Sequence, residues 1–160
     1  MPKAIKITSK DLRAQAGCRR EVVRFQRCFP HGASVTMANA RIAADKAMDL
    51  VWFGRRMFCG SARTIFERKV RSLRKKLQED RSETYYQETQ ALGKIHPQFL
   101  EKGTLPRDLR KRKLFQHTTK RFGAKVVQIR RKCHREIGYS IVRLAKTYGL
   151  IQPLAKKEKS

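Results

Sequence analysis

The sequence predicts an all-α protein, built of long amphipathic helices with basic extended N- and C-terminal tails. Three observations carry that expectation: apolar residues recur at spacings of three and four over long stretches, strand-like alternation is nearly absent, and turn-forming clusters such as Phe29-Pro30-His31-Gly32 and Cys59-Gly60-Ser61 separate the periodic stretches.

The first element opens at Thr8-Ser9-Lys10-Asp11, which has the Ser/Thr-x-x-Asp/Glu form of a helix start. Leu12, Ala16 and Val23 then share a stripe to about Cys28, and Phe29-Pro30-His31-Gly32 ends it. Ser34 is the expected cap of a second helix reaching about Phe58. Ala38, Ile42, Met48, Val51 and Trp52 face a core there, with Arg41, Lys46, Arg55 and Arg56 off that stripe.

Cys59-Gly60-Ser61 marks a break, after which Ala62, Phe66, Val70, Leu73 and Leu77 repeat at helical spacing. The other faces of this third helix carry Arg63, Arg68, Lys69, Arg71, Arg74, Lys75 and Lys76 against Glu67. The sign then reverses at Glu79, Asp80, Glu83 and Glu88, an acidic cluster that reads as a solvated face, and Tyr85, Tyr86 and Leu92 extend the helix to Gly93. A continuous helix of that span reaches roughly 45 Å.

Dense punctuation between Gly93 and Pro106 predicts a hinge, with His96-Pro97 opening a short helical turn and Gly103 closing it. Arg107, Arg110, Lys111, Arg112, Lys113, Lys120 and Arg121 follow with Asp108 opposing, and Gly123 punctuates the run. Val126, Ile129, Cys133, Ile137, Ile141, Leu144 and Tyr148 define the last helix, which Gly149 stops. The expected organisation is a basic N-terminal arm with a short helix over 1–33, a helical hairpin or pair of long helices over 34–93, and a hinge over 94–106. A basic segment and C-terminal amphipathic helix cover 107–152, and a basic tail covers 153–160.

Charge narrows the function. The 160 residues hold 39 Lys plus Arg against 13 Asp plus Glu, a formal net charge of +26. Such a chain repels itself when compact and attracts polyanions, which points to nucleic acid. The apolar run at Leu50, Val51, Trp52 and Phe53 stops at Arg55 and Arg56, far short of the roughly 20 residues of a membrane span. The acid-poor, Arg-rich N-terminal segment reads either as an arm lying on RNA or as an organelle-targeting presequence.

Chemistry is poorly supported. Cys18, Cys28, Cys59 and Cys133 contain no C-x-x-C pair; a zinc site from Cys18, Cys28, His31 and Cys59 is geometrically conceivable, while Cys133 sits in an apolar stripe as an ordinary thiol. Cys18 and Cys28 have the spacing of half a twin C-x9-C hairpin, and Cys59 with Cys133 does not supply the other half. Adjacent Cys133-His134 point about 100° apart on a helix and cannot pair as nucleophile and base. No Gly-rich phosphate loop is present. The expectation is therefore no enzyme, no cofactor, no metal and no small-molecule substrate.

What remains is a basic helical surface. Arg presents a planar fork that holds two phosphate oxygens and stacks on exposed bases. The candidate RNA-binding residues are Arg19 and Arg20 in the arm; Arg55, Arg56 and Arg63; Arg71, Arg74, Lys75 and Lys76; Arg110 to Lys113; Lys120 and Arg121; and Arg130, Arg131, Lys132 and Arg135. Trp52, Phe53, Phe58, Phe66, Phe115 and Phe122 interleave with them and serve either packing or base stacking. Charge spread along the chain differs from a DNA-binding module, which concentrates its contacts on one recognition helix.

A short, very basic, all-helical chain with charged ends resembles, in overall character, a ribosomal protein of the organellar, mitochondrial type. That resemblance implies a structural constituent of a ribosome whose partners are ribosomal RNA and neighbouring ribosomal proteins, located in the mitochondrion or alternatively the cytoplasm. Composition also admits a non-ribosomal nucleic-acid-binding or ribosome-assembly factor, and a matrix-facing subunit of a respiratory complex.

Overall fold

A computed structural model describes residues 5–150 of the chain. It is mostly helical, with seven helices and one pair of two-residue strands among the described residues. In chain order these are β1 (Lys6–Ile7), α1 (Ser9–Ala14), α2 (Arg19–Cys28), β2 (Ala33–Ser34), α3 (Met37–Asp45), α4 (Leu50–Met57), α5 (Gly60–Ile95), α6 (Gln98–Lys102) and α7 (Leu109–Tyr148). The described residues fall into two compact units: one runs to Leu73 and resumes at Cys133, and the other is Arg74–Lys132. The expected tail over 153–160 lies outside the described residues.

In the first unit, the described part of the segment expected as a basic arm, from residue 5 on, is folded. Thr8 caps α1 through the reciprocal box read in the sequence: its Oγ1 accepts from Asp11 N–H, and the Asp11 carboxylate accepts from Thr8 N–H at 2.7 Å. The helix does not continue to Cys28. It ends at Ala14, and Ala16 beyond it has φ +58°, with Ala16 N–H donating to Arg13 O and Gly17 N–H to Leu12 O, the paired bonds of a Schellman stop. The restart at Arg19 turns Val22 and Phe25 inward and leaves Val23, expected in the stripe, exposed. β1 and β2 then pair antiparallel, Lys6 with Ser34 and Ile7 with Ala33.

The expected second helix is also two helices. Ser34 lies in β2, and Thr36 caps α3 by accepting from Asn39 N–H. A second Schellman stop closes α3, with Ala47 at φ +53°, Ala47 N–H donating to Ala44 O and Met48 N–H to Ala43 O. Asp49 caps α4 by accepting from Trp52 N–H at 2.8 Å, while its own N–H donates to the Glu21 carboxylate. The core face of α3 is Ala43 and Ala44, not Ala38 and Ile42, which are exposed.

Phe66 of α5 centres this core at 0% exposure, against Phe58 at 5.8 Å between ring centroids. Gly54 of α4 lies so close to the Phe66 ring that a Cβ there overlaps it. The C-terminal part of α7 adds Ile137, Ile141 and Ala145 to the same cluster. Cys133 is half-buried with its Sγ donating to Leu73 O, and Gly138 admits the backbone of α3 at Ala40.

In the second unit, the later turns of α5, the short α6 and the first turns of α7 enclose Thr84, Leu92, Phe115, Thr118 and Phe122. Phe99 of α6 meets Phe115 edge-on at 5.0 Å, and Gly93 lies under Leu100. α5 passes Gly93 and ends at Ile95, and α7 passes the exposed Gly123 without a break. Gly103, at φ +63°, closes α6 as its punctuation suggested.

Candidate nucleic-acid interface

Continuity of α7 through Gly123 joins two basic runs that the sequence reading separated. Between Leu109 and Lys132 this helix carries ten cations, Arg110 to Lys113, Lys120, Arg121, Lys125 and Arg130 to Lys132, with no Asp or Glu. None of the ten has an ion pair with a carboxylate among the described residues. The buried Phe115, Thr118 and Phe122 fix which way the helix faces. At about 100° per residue, Lys113, Lys120 and Arg131 project from the opposite side. Arg110, Arg121 and Lys132 follow one flank, each about three turns or 16 Å beyond the last.

This side of the second unit is an electropositive ridge. Arg121 and Lys125 lie 5.3 and 6.0 Å from the Phe122 ring, so the ring's faces are used by the protein's own cations. Lys125 Nζ also donates to Gln87 Oε1 at 2.9 Å, which holds it in place without neutralising it. Phe58, Phe66, Phe115 and Phe122 are all buried; their role is packing, not stacking on bases. Trp52 and Phe53 are half-buried against the first core.

The remaining candidates have different surroundings. Arg74 and Lys76 are exposed near the start of the second unit, where Lys75 approaches Glu79 at 3.9 Å. In the first unit Arg56 and Arg71 are exposed, whereas Arg55 and Arg63 converge on Glu67 at 3.6 and 3.3 Å. Arg135 is a bracing residue. Its guanidinium donates two bonds to Asp45, at 2.7 and 2.9 Å, and these raise its pKa still further above an already basic value. The Nε–Nη2 edge of the guanidinium is therefore taken by a carboxylate. The neighbouring His134 places Nδ1 3.0 Å from Ala44 O and ties α7 to the same end of α3.

Arg19 and Arg20 belong to a larger constellation. With Arg24, Arg27 and Lys46 they line a groove of about 890 Å³ between α2 and α3. Arg24, Arg27 and Lys46 are missing from the sequence-based candidates. The Arg20, Arg24 and Arg27 spacing on one helical face was the available signal, but Lys46 joins them because of the turn at Ala47, which no Gly announces.

Among the described residues no group of three or more His, Cys, Asp or Glu is placed to hold a metal ion, so Cys18, Cys28, His31 and Cys59 do not converge. No disulfide joins the cysteines. No described helix is long and apolar enough to cross a membrane. Compared with protein-family models, with curated proteins and with solved structures, the chain finds no match.

Proposed function

We propose that this protein is a non-catalytic structural constituent of a ribosome that binds ribosomal RNA. The observation that carries this reading is the basic run of α7, ten cations without a carboxylate over about 36 Å of helix, six of which lie on the ridge and its flank. A row of that kind releases condensed counterions when it lies along phosphates, which gives affinity without sequence readout. Exposed Leu105, Leu109 and Leu114 beside the ridge supply apolar area for neighbouring proteins. The setting we propose is the mitochondrial ribosome, with the cytoplasm as the alternative. Leu12, Val22 and Phe25 lie in the core of the first unit, so on this reading an address in the N-terminal segment stays on the mature chain.

One observation favours a second reading, a nucleic-acid-binding or assembly factor outside the ribosome: the first unit has a contiguous core of its own. Sedimentation with RNA crosslinking separates the two. Co-migration with a ribosomal subunit after a moderate salt wash, with crosslinks at defined ribosomal RNA positions, is the expected result. Release into light fractions with crosslinks scattered over messenger RNA rejects the ribosomal assignment in favour of the second reading.

A further inference from the structure

The groove between α2 and α3 has a different chemistry from the α7 ridge. Its rim is Arg19, Arg20, Arg27 and Lys46, none of which has an ion pair with a carboxylate among the described residues. Its floor is apolar: Val23 is 37% exposed and Ile42 43% exposed, both β-branched side chains left in water between cations. Arg24 forms a fixed wall. It donates to Glu21 at 2.7 Å and to Ala47 O at 2.8 Å, so the end of α3 is tied to α2, and Glu21 in turn accepts from Asp49 N–H.

Four uncompensated cations around an apolar strip suit a ligand that is flat and apolar in its middle and multiply anionic along its edge. An unpaired nucleotide segment has that form, because a splayed base offers a π-face while the phosphates on either side reach a basic rim. A duplex does not, since its bases are stacked inside and its phosphates lie on a convex surface. We propose that this groove is a single-strand RNA site, which holds an unpaired base against Val23 and Ile42 with flanking phosphates on Arg19, Arg20, Arg27 and Lys46. The site rests on the RNA-binding reading above but uses different residues in a different unit.

The test measures affinity of the full chain by fluorescence anisotropy for an eight-nucleotide oligouridine and for a twenty-base-pair RNA duplex, in 0.1 M salt. Three variants are compared, each first shown by circular dichroism and thermal unfolding to keep its fold: Arg20→Ala with Arg27→Ala, Val23→Ser with Ile42→Ser, and Lys113→Ala with Lys120→Ala and Arg131→Ala. Both groove variants are expected to weaken oligouridine about tenfold or more and duplex less than about threefold. The charge-neutral Val23/Ile42 variant is the discriminating one, because a purely electrostatic patch does not respond to it. Equal weakening of both RNAs by the groove variants, no effect of the Val23/Ile42 variant, or displacement of oligouridine by a polyglutamate peptide at equal charge concentration overturns the site. If instead the ridge variant leaves duplex affinity unchanged while the groove variants still weaken oligouridine, the groove stands and the ridge assignment fails.

Discussion

Phe66 and Gly54 decide the packing of the first unit between them. The Phe66 ring has no solvent exposure, and Gly54 is the residue of α4 that allows the ring its place. Phe66→Ala removes a buried aromatic and leaves a cavity, with an expected loss of about 3–5 kcal/mol in urea unfolding. Gly54→Ala pushes a methyl into the ring and is expected to cost about 1–3 kcal/mol by the same measurement. An unchanged midpoint for Gly54→Ala would show that α4 and α5 are not packed as described. Arg135 illustrates the opposite lesson for function: the sequence marks it as one more cation of a basic run, and the Asp45 carboxylate takes its Nε and Nη2. Arg135→Lys keeps the charge but loses the paired geometry, so it is expected to lower thermal stability while leaving RNA affinity within about twofold.

Among the elements, α5, the C-terminal half of α7 and the short α6 were legible, and the division of the first unit's helices into α1 to α4 was not. α5 and α7 each bury a stripe repeated over many turns, and a pattern of that length survives local noise. The breaks at Ala16 and Ala47 escaped because each is a Schellman stop with Ala in the left-handed position where Gly is usual. Conversely Gly93 and Gly123 read as stops but lie inside helices, the first because Leu100 packs onto its missing side chain. The capping residues give the same contrast. Thr8 with Asp11 was legible as the start of a helix, whereas Asp49 lies within a stretch expected to be one helix to about Phe58. Ala47→Gly relieves the left-handed strain and is expected to stabilise by about 0.5–1 kcal/mol, while Asp49→Ala removes the α4 cap and is expected to cost about 1 kcal/mol. Thermal unfolding of the two variants checks both signs; a loss of stability for Ala47→Gly would contradict the left-handed turn.

On the scale of the whole molecule, the net charge of +26 was legible at once, and the division of its cations between paired and unpaired residues was not. Some cations are neutralised at home: Arg55 and Arg63 share Glu67, and Arg24 and Arg135 brace the first unit. Others remain unpaired in two surroundings, an open ridge on α7 and an apolar-floored groove between α2 and α3. The sequence lists cations by position, and their division into bracing and unpaired residues appears when the turns at Ala16 and Ala47 and the unbroken run of α7 are known. On the function we propose, such a surface binds RNA through counterion release, with a salt dependence set by how many phosphates it covers.

The salt dependence of affinity for a duplex RNA is the most direct test of that claim. If Lys113, Lys120 and Arg131 each cover a phosphate, the plot of log K against log salt falls steeply for the native chain. It is then shallower by about 2.7 for the variant with all three changed to Ala, about 0.9 for each contact removed. A flat plot for the native chain, or an identical slope for the variant, would contradict the account.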